Sequence, residues 1–401
     1  MKNVKILKFG GSSVSNFEKI KAISDYLKSR VEKNEKLVVV VPAMGKTTDI
    51  LLNQVKELTN NPNTREVDSL LAIGEQTSIS FMAITLNDIG VKARSLNGIQ
   101  AGIKTFGKHT KSKIAEINSE FLLEELKKFD VLVIAGFQGV NDKFEITTLG
   151  GGGSDTTAVA LAATLNTSCE IYTDVSGVFG TDPRIYPNAK KLEQVSFEEM
   201  LELSALGAGV LETRCVEIAK NYDVPLYLAK TLSEEKGTWV MKHTDLLEKK
   251  VVTGAALDSD ILHVTLTYES SSTVFVKDLF DNLDKYGVNI DMISQVVSNS
   301  TVNISFTCKN TDINFLNRAI ESLTEISPSI STNINDECSK VSIVGSGMRD
   351  VSGVATRAFK VLGTNGIKFY QITTSEISIS FAVDRSRGEE ALRLLCEEFN
   401  I

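Results

Sequence analysis

The sequence predicts an α/β protein with a three-layer, mostly parallel sheet, followed by two smaller βαββαβ units. Over residues 1–230, short β-branched runs alternate with longer amphipathic stretches, and this alternation predicts a parallel sheet covered on both faces by helices. Residues 231–260 are more charged and less periodic, and the C-terminal third contains an internal repeat. Because ligands of such sheets bind beyond the carboxyl ends of the strands, we expect the functional residues there.

The predicted elements of the N-terminal part follow one another in strand and helix order. The strands are short runs rich in β-branched and apolar residues, as is typical of strands that are buried on both faces. They are predicted at residues 4–7, 37–41, 131–135, 170–173 and 224–228, and helices or helix pairs are predicted at 17–33, 66–87, 111–128, 155–165 and 197–222.

The internal repeat defines the C-terminal part. LDKYGVNIDMIS at 283–294 aligns with LGTNGIKFYQIT at 362–373, and TVNISF at 301–306 aligns with EISISF at 376–381. The predicted limits are 1–230 for the first domain, 231–260 for a connector with a short strand or two, and 261–335 and 336–401 for the two repeats. A pair of such units serves either packing or ligand sensing, and we favour ligand sensing.

Composition excludes several classes of protein. Of 401 residues, 42% are hydrophobic and 23% are charged, which is typical of a globular chain with an ample core. The net charge of −8 argues against nucleic acid as a partner, and the apolar runs are too short to span a membrane. The five cysteines lie far apart, and the N-terminus shows no signal-peptide pattern, so we expect reduced thiols and a cytoplasmic location.

The first candidate site directly follows the first predicted strand and reads Lys8-Phe9-Gly10-Gly11-Ser12-Ser13. Glycines let backbone N–H groups approach phosphate oxygens, and the start of the next helix adds positive potential. Lys8 would add a charge where a transferred phosphoryl group builds up negative charge. A tight turn with a surface lysine is the alternative, but the lysine and the paired hydroxyls together favour a phosphate site.

A second glycine-rich run, LGGGGSDTT at 149–157, also precedes an apolar, helix-forming stretch. Four glycines are costly to order, so a flexible linker is the alternative. Asp155 and the threonines after it are typical of a capped helix start, and a helix N-terminus that faces an anion explains the run better. Ser154 could hydrogen-bond either a phosphate or the acceptor substrate.

A third segment follows the strand predicted at 170–173 and contains two acids, Asp174 and Asp182, and one arginine, Arg184. This set suits nucleotide binding and indirect contact with Mg²⁺, although two solvated turns explain it equally well. Residues 45–47, Gly-Lys-Thr, lack the first glycine of a Walker motif. The three histidines are scattered, which disfavours a histidine-ligated metal site or a Ser-His-Asp triad.

Taken together and in order, these segments resemble the aspartate kinase family across essentially the whole chain. The matching stretches are KFGGSS (8–13), AMGKTTD (43–49), GE (74–75), AGFQG (135–139), TTLGGGGSDTTA (147–158), YTDVSGV (172–178), TDPRI (181–185) and SFEEMLELSALGA (196–208). In the two repeats, which resemble ACT domains, the matches include NIDMISQ (289–295) and TTSEISISF (373–381). The resemblance implies the amino acid kinase fold and transfer of the ATP γ-phosphate to the β-carboxylate of L-aspartate. That is the first step toward lysine, threonine and methionine.

The resemblance also implies the residues of each site. Lys8 would be catalytic, with Mg²⁺ as the cofactor of ATP, and Thr48, Glu75 and Ser154 would position aspartate, Glu75 facing its ammonium group. ATP and its phosphates would be bound by Lys8, Phe9, Gly10, Gly11, Ser12, Thr173, Asp174, Phe179, Thr181, Asp182, Pro183 and Arg184. An effector, lysine or threonine with lysine slightly favoured, would bind at Asn289, Ile290, Asp291 and Gln295. We expect a homodimer or higher homo-oligomer, because the ACT pairs of the family associate across subunits.

Several positions depart from the family pattern. Gly151 stands where the family usually has an arginine that grips a substrate carboxylate. Gly209 stands in place of a lysine expected near ATP, and Glu212 adds an acid. Pro42 replaces a serine, and Ala-Lys-Thr at 229–231 replaces Arg-Ser-Ser. Loss of a bidentate carboxylate contact costs about 1.5–3 kcal/mol, so weak activity and an altered substrate stay open. Lys230 or Arg214 could supply the missing cation.

The leading hypothesis is a monofunctional aspartate kinase, because the chain ends at Ile401 without room for a fused homoserine dehydrogenase. Kinases of glutamate, acetylglutamate, carbamate or UMP share the fold, but the C-terminal repeat pair argues against them. The alternative from another class is a non-catalytic amino-acid sensor that keeps the fold and the ACT pair but not the turnover.

Overall fold

The computed structural model describes residues 3–242, 250–269, 273–298 and 301–401. The chain divides into two compact units. The first unit comprises Met1–Val178, Lys191–Ser204 and Gly209–Asp245, and the second comprises Phe179–Lys190, Ala205–Ala208 and Leu246–Ile401.

The first unit contains a large sheet, a small sheet and the helices that cover them. Its strands are β1 (Val4–Phe9), β2 (Lys36–Val41), β3 (Ala93–Leu96), β4 (Ile103–Phe106), β5 (Lys113–Ile117), β6 (Val131–Ala135), β7 (Gln138–Val140), β8 (Ile146–Thr148), β9 (Cys169–Thr173), β10 (Gln194–Ser196), β11 (Leu226–Lys230) and β12 (Thr238–Met241). Its helices are α1 (Phe17–Val31), α2 (Thr47–Leu58), α3 (Thr64–Asp88), α4 (Ser119–Lys128), α5 (Gly153–Thr164), α6 (Phe197–Ala205) and α7 (Thr213–Asn221), although the last residue of α6 falls in the second unit.

The large sheet has eight strands in the order β10-β12-β11-β9-β1-β2-β6-β3. All neighbours are parallel except β11 and β12. The central strands β2 and β6 are apolar and almost entirely buried, because helices cover both faces of the sheet. The small sheet has the order β5-β4-β7-β8.

The second unit contains a six-stranded sheet in the order β14-β15-β13-β16-β18-β17. The elements are β13 (Gly254–Glu269), α8 (Thr273–Tyr286), β14 (Ile290–Ser298), β15 (Thr301–Lys309), α9 (Ile313–Ile326), β16 (Ser331–Val344), α10 (Val354–Thr364), β17 (Phe369–Thr374), β18 (Ser378–Asp384) and α11 (Gly388–Phe399). The long strands β13 and β16 run through both repeats. Two separate apolar clusters, one for each repeat, pack the helices on the sheet.

The predicted fold class is confirmed, and the buried strands and most of the helices lie where the sequence predicts them. The prediction of a helix or helix pair at 111–128 is wrong in its first part, which forms β5 and pairs with β4, whereas its second part forms α4. Helix α2 was not predicted from the sequence. Part of the connector, residues 243–249, lies outside the described residues, and the domain limits stay a prediction.

All five cysteines are buried and free. Helix α3 is the one described helix long and apolar enough to cross a membrane. Half of its most apolar window is buried within the protein, as is usual for a core helix.

Candidate active site

Five neighbouring strands of the large sheet end at the same edge. β11, β9, β1, β2 and β6 are adjacent in that order and pair in parallel. The segments that follow them therefore lie close together, as in other parallel sheets. Both glycine-rich segments lie at this edge: the first glycine loop, residues 10–13, follows β1, and the second glycine loop, residues 150–153, contacts the residues after β6.

The first glycine loop is held by the ends of the neighbouring strands. The N–H of Gly10 donates to the carbonyl of Tyr172 at 2.9 Å, and the hydroxyls of Ser13 and Thr231 lie 2.6 Å apart. The N–H of Thr231 donates in turn to the carbonyl of Thr173 at 2.8 Å. The end of β9 and the segments after β1 and β11 are thus joined by hydrogen bonds, and a ligand would meet a rigid loop.

Lys8 and Phe9, the last residues of β1, have different surroundings. Lys8 is 7% exposed, and its Nζ lies 2.7 Å from Oδ1 of Asp155 in the first turn of α5. Phe9 is fully buried in the core, where its ring stacks on Tyr172. Lys8 therefore brings a buried positive charge to the site, whereas Phe9 could contact a ligand only through its backbone.

The second glycine loop is shaped by glycines in the left-handed region. Gly150 has φ +83° and Gly152 has φ +62°, and Gly152 caps α5 without a side chain. A Cβ added at Gly152 would lie 1.7 Å from Cγ of Glu212, whereas one added at Gly151 would lie 3.6 Å from Oε1 of Glu212. The loop exposes backbone at the N-terminus of a helix, which favours anions, but an acidic side chain packs against it.

A cavity of about 380 Å³ opens beside the second glycine loop. It contains the three residues predicted to position the acceptor, Thr48, Glu75 and Ser154. The other residues that line it are Pro42, Leu52, Val67, Leu71, Thr110, Phe137, Thr148 and the four glycines 150–153. Among the described residues, no lysine or arginine lines the cavity, so backbone groups and hydroxyls are its polar surface apart from Glu75.

Glu75 is the charged group of this cavity. It is 2% exposed, and its Oε1 accepts a hydrogen bond from the N–H of Ala43 at 3.0 Å. Its Oε2 is buried and has no hydrogen-bond partner among the described residues. Burial raises the pKa of Glu75 to about 7, although the N–H of Ala43 opposes the shift. A cationic group in the cavity would satisfy the free oxygen and stabilise the carboxylate.

Close packing positions two of the three predicted acceptor residues, Glu75 and Ser154. A Cβ added at Gly74 would lie 2.7 Å from Cβ of Ala43, so α3 approaches the segment after β2 because residue 74 is glycine. A Cβ added at Gly136 would lie 2.7 Å from Cβ of Ser154, so Gly136 gives the start of α5 its place against β6. Thr48 lies in the first turn of α2.

Arg214 and Lys230, which could replace the arginine expected at residue 151, differ in their contacts. Arg214 donates to the carbonyls of Leu149 at 2.9 Å and Ser112 at 2.8 Å, so it braces the segment before the second glycine loop. Burial lowers its pKa. Lys230 is exposed at the end of β11. Neither side chain lines the cavity.

The residues predicted at the nucleotide divide between the two units. Thr173 ends β9 and Asp174 follows it in the first unit, and the hydroxyl of Thr173 donates to Oδ1 of Asp174 at 3.0 Å. Phe179, Thr181, Asp182, Pro183 and Arg184 belong to the second unit. There Arg184 pairs with Asp182 at 2.7 Å and lowers its pKa. Their part in nucleotide binding stays a prediction.

Of the predicted effector residues, Asn289 lies just before β14, Ile290 and Asp291 begin it, and Gln295 lies in its middle, at an edge of the sheet in the second unit. Asn289, Asp291 and Gln295 are exposed, and Ile290 is half-buried. Oδ2 of Asp291 lies 2.6 Å from Nζ of Lys340, a buried residue of β16. Asp291 therefore already has a cationic partner, which an effector ammonium group would have to share.

Asp68 and the residues that it holds, His109, Thr110 and Thr148, were not predicted from the sequence. Their hydrogen bonds span 41 to 80 residues of the chain, so no local pattern shows them. One signal was available: Asp68 precedes Glu75 by two helical turns and therefore shares its face of α3.

Comparison with known proteins identifies the family. The model of the Amino acid kinase family matches residues 3–230, and an ACT domain model matches residues 341–399. The chain is 42% identical over 398 residues to the aspartokinase of Geobacillus stearothermophilus, covering 99% of this chain and 97% of that one.

Solved structures agree in fold. E. coli aspartokinase III in complex with aspartate and ADP has a TM-score of 0.82 at 22% identity, with all of both chains covered. The same enzyme in complex with lysine and aspartate has a TM-score of 0.76 at 22% identity and the same coverage. The chain therefore belongs to the amino acid kinase family, and within it to the aspartokinases, enzymes that phosphorylate aspartate.

Proposed function

We propose that this aspartate kinase transfers the γ-phosphate of ATP to the β-carboxylate of L-aspartate, giving 4-phospho-L-aspartate and ADP. The observation that carries the proposal is the buried, unpartnered Oε2 of Glu75 in a cavity beside a glycine loop at a helix N-terminus. An amino acid offers the ammonium group that this oxygen lacks, and its side-chain carboxylate can reach a phosphate bound at the loops.

In the proposed reaction, an oxygen of the β-carboxylate attacks the γ-phosphorus and the bond between phosphorus and the β,γ-bridging oxygen breaks. ADP leaves with the electron pair. The carboxylate is already ionised at neutral pH, so no strong base is required. The protein's task is to bring two anions together and to stabilise the charge that develops between them.

Lys8 is the side chain suited to that stabilisation. Its ammonium is paired with Asp155 at 2.7 Å in a largely buried position. A phosphate bound beside it would share this charge, and the N-terminus of α5 would add its own positive potential.

Mg²⁺ fits this site as the counter-ion of ATP. No group of three or more His, Cys, Asp or Glu side chains in the described part of the chain could hold a metal by itself. Mg²⁺ is usually bound by one or two carboxylates together with substrate phosphates, and Asp155 and Asp174 are carboxylates near the loops. When bound, it would neutralise phosphate charge.

The nucleotide would be bound by the first glycine loop and by the predicted residues Thr173, Asp174, Phe179 and 181–184. Support comes from the position of Thr173, whose carbonyl accepts the hydrogen bond from Thr231. E. coli aspartokinase III, which has the same fold, was solved with aspartate and ADP.

We also propose feedback regulation by lysine, threonine or both at Asn289, Ile290, Asp291 and Gln295, as expected for the first step toward lysine, threonine and methionine. The matching ACT domain supports a regulatory role, and E. coli aspartokinase III was solved with lysine. A cytoplasmic homodimer or higher homo-oligomer completes the proposal.

The test is a hydroxamate assay for acyl phosphate with ATP, Mg²⁺ and a panel of acceptors comprising L-aspartate, L-glutamate, N-acetylglutamate and the α-amide of aspartate. We expect product from L-aspartate, and inhibition by lysine or threonine that Asp291→Ala weakens. Product from glutamate or N-acetylglutamate alone would contradict the proposal that L-aspartate is the substrate. Absence of product from every acceptor, together with measurable lysine or threonine binding, would favour the alternative of a non-catalytic amino-acid sensor.

A further inference from the structure

Asp68 on α3 is a fully buried carboxylate that belongs to none of the predicted sites. It accepts hydrogen bonds from the N–H of Thr110 at 3.0 and 3.1 Å, from Nδ1 of His109 at 2.7 Å and from the hydroxyl of Thr148. A buried carboxylate without a lysine or arginine partner depends on such donors. One side chain of α3 therefore fixes two segments that lie far from it in the sequence, residues 109–110 and Thr148.

Two of these three residues, Thr110 and Thr148, line the cavity that contains Glu75. Thr110 has φ +67°, a left-handed conformation that is costly for a β-branched residue and persists only where neighbours impose it. The two hydrogen bonds from its N–H to Asp68 are such a constraint. The shape of this wall of the cavity thus depends on a carboxylate that lies behind it.

The same wall continues into the second glycine loop. The N–H of Ser112 donates to the carbonyl of Thr148 at 3.0 Å, and a Cβ added at Gly150 would lie 3.2 Å from the carbonyl of Thr110. A shift of the segment around Thr110 would therefore move the loop whose backbone faces the cavity.

His109 is the side chain that contacts Asp68 without lining the cavity. Its Nδ1 faces Asp68, which can only accept, so Nδ1 carries the hydrogen. Its Nε2 lies 3.5 Å from Oε2 of Glu145, and its side chain is 19% exposed.

We propose that Asp68 and His109 are positioning residues for the acceptor substrate. They fix Thr110 and Thr148 in the cavity wall and so set the affinity for the acceptor, leaving nucleotide affinity and the chemical step largely unchanged. The proposal rests on the cavity being the acceptor site, as proposed above.

The test compares two substitutions of His109 in the full-length enzyme. His109→Leu removes the donor to Asp68, whereas His109→Asn places an amide N–H close to the position of Nδ1. We expect His109→Leu to raise KM for L-aspartate about tenfold, with KM for ATP and kcat within about twofold of the wild type. His109→Asn should recover most of that affinity. Glu116→Gln, at an exposed site of the nearby strand β5, controls for substitution as such.

Thr148→Val provides the second measurement if His109→Leu does not fold, because it removes a different donor to Asp68 and keeps the volume. It should also raise KM for L-aspartate selectively. Equal loss in KM for ATP, KM for L-aspartate and kcat, or an unchanged KM for L-aspartate in both variants, would overturn the proposal. An inactive wild type would instead overturn the proposed function, so the two failures are distinguishable.

Discussion

The two glycine loops at the carboxyl edge of the sheet present positive charge to an anion in different ways. The first follows Lys8, and neither Gly10 nor Gly11 has a positive φ. The second depends on left-handed glycines and on the backbone of α5, and the nearest charged side chain against it is Glu212. The Lys8–Asp155 ion pair joins them. The first loop is therefore expected to contribute mainly through a side chain, and the second mainly through its shape.

The largest effect is expected for Lys8. Lys8→Met should lower kcat about a hundred- to a thousandfold, because it removes the buried charge beside the transferred phosphate. It also leaves Asp155 without its partner, so the free energy of unfolding should fall. Steady-state kinetics and thermal unfolding measure both effects.

The double variant Lys8→Met/Asp155→Asn separates the two contributions for Lys8. Removing the unpaired charge should restore much of the thermal midpoint but not the turnover. Lys21→Met, on the exposed face of α1, is the matched control. Turnover restored in the double variant would mean that Lys8 stabilises the fold and has no part in the chemistry.

A second prediction tests the shape of the second loop. Gly152→Ala should lower kcat/KM about ten- to a hundredfold and destabilise the fold by about 1–2 kcal/mol, because φ is +62° and the new Cβ meets Glu212. Gly10→Ala should destabilise less, since its Cβ would have an ordinary contact of 3.6 Å. Kinetics and thermal unfolding of both variants provide the comparison.

Adding Glu212→Ala to Gly152→Ala removes the steric clash but not the left-handed backbone. Stability and kcat/KM should therefore recover only in part. Full recovery would show that the loop tolerates a side chain at residue 152 and that only Glu212 made glycine necessary.

The difference between the loops also shows how much of the site the sequence predicts. Lys8 and the glycines after it were found because a strand, a loop and a helix start are adjacent in sequence. Thr48, Glu75 and Ser154 came from the family resemblance, and the structure brings all three to one cavity. Sequence could not show that Glu212 packs against Gly152, since these residues meet only after α7 packs on α5.

The errors in the fold have a similar origin. The segment at 111–128 has helical propensity in its second part, and its first part, KIAEI, forms β5 because the unpaired edge of β4 is available to it. Tertiary pairing overrides local preference in such short segments. The Asp68 hydrogen bonds were also invisible, because their partners lie far away along the chain.

The charge state of Glu75, beside the second loop, determines whether this side chain can bind the ammonium group of the acceptor. Its carboxylate must be ionised to bind an ammonium group, and burial raises its pKa to about 7. KM for L-aspartate should therefore fall about tenfold from pH 6 to pH 8, and Glu75→Gln should have a high KM with little pH dependence over that range. A wild-type KM that is constant over this range would contradict the assignment.

The same group gives a stability prediction with a definite sign. The folded-state pKa of Glu75 lies above its ordinary value of 4.5, so the folded protein holds the proton more tightly between that value and about 7. The protonated side chain of Glu75 therefore adds to the free energy of unfolding in full below pH 4.5. This contribution is lost as the pH rises through 7. Glu75→Gln should therefore lose less thermal stability than the wild type between pH 5 and pH 8.

The smallest effect is expected for Glu212, the acid beside the second loop. Glu212→Gln should lower KM for L-aspartate two- to fivefold at low ionic strength, because an exposed carboxylate near Gly151 repels an anionic substrate weakly and salt screens it. Raising the salt concentration should remove the difference between variant and wild type. Glu217→Gln, an exposed acid farther along α7, serves as the control. If Glu212→Gln leaves KM unchanged at low salt, the side chain only packs against Gly152, and the second loop differs from the first by shape alone.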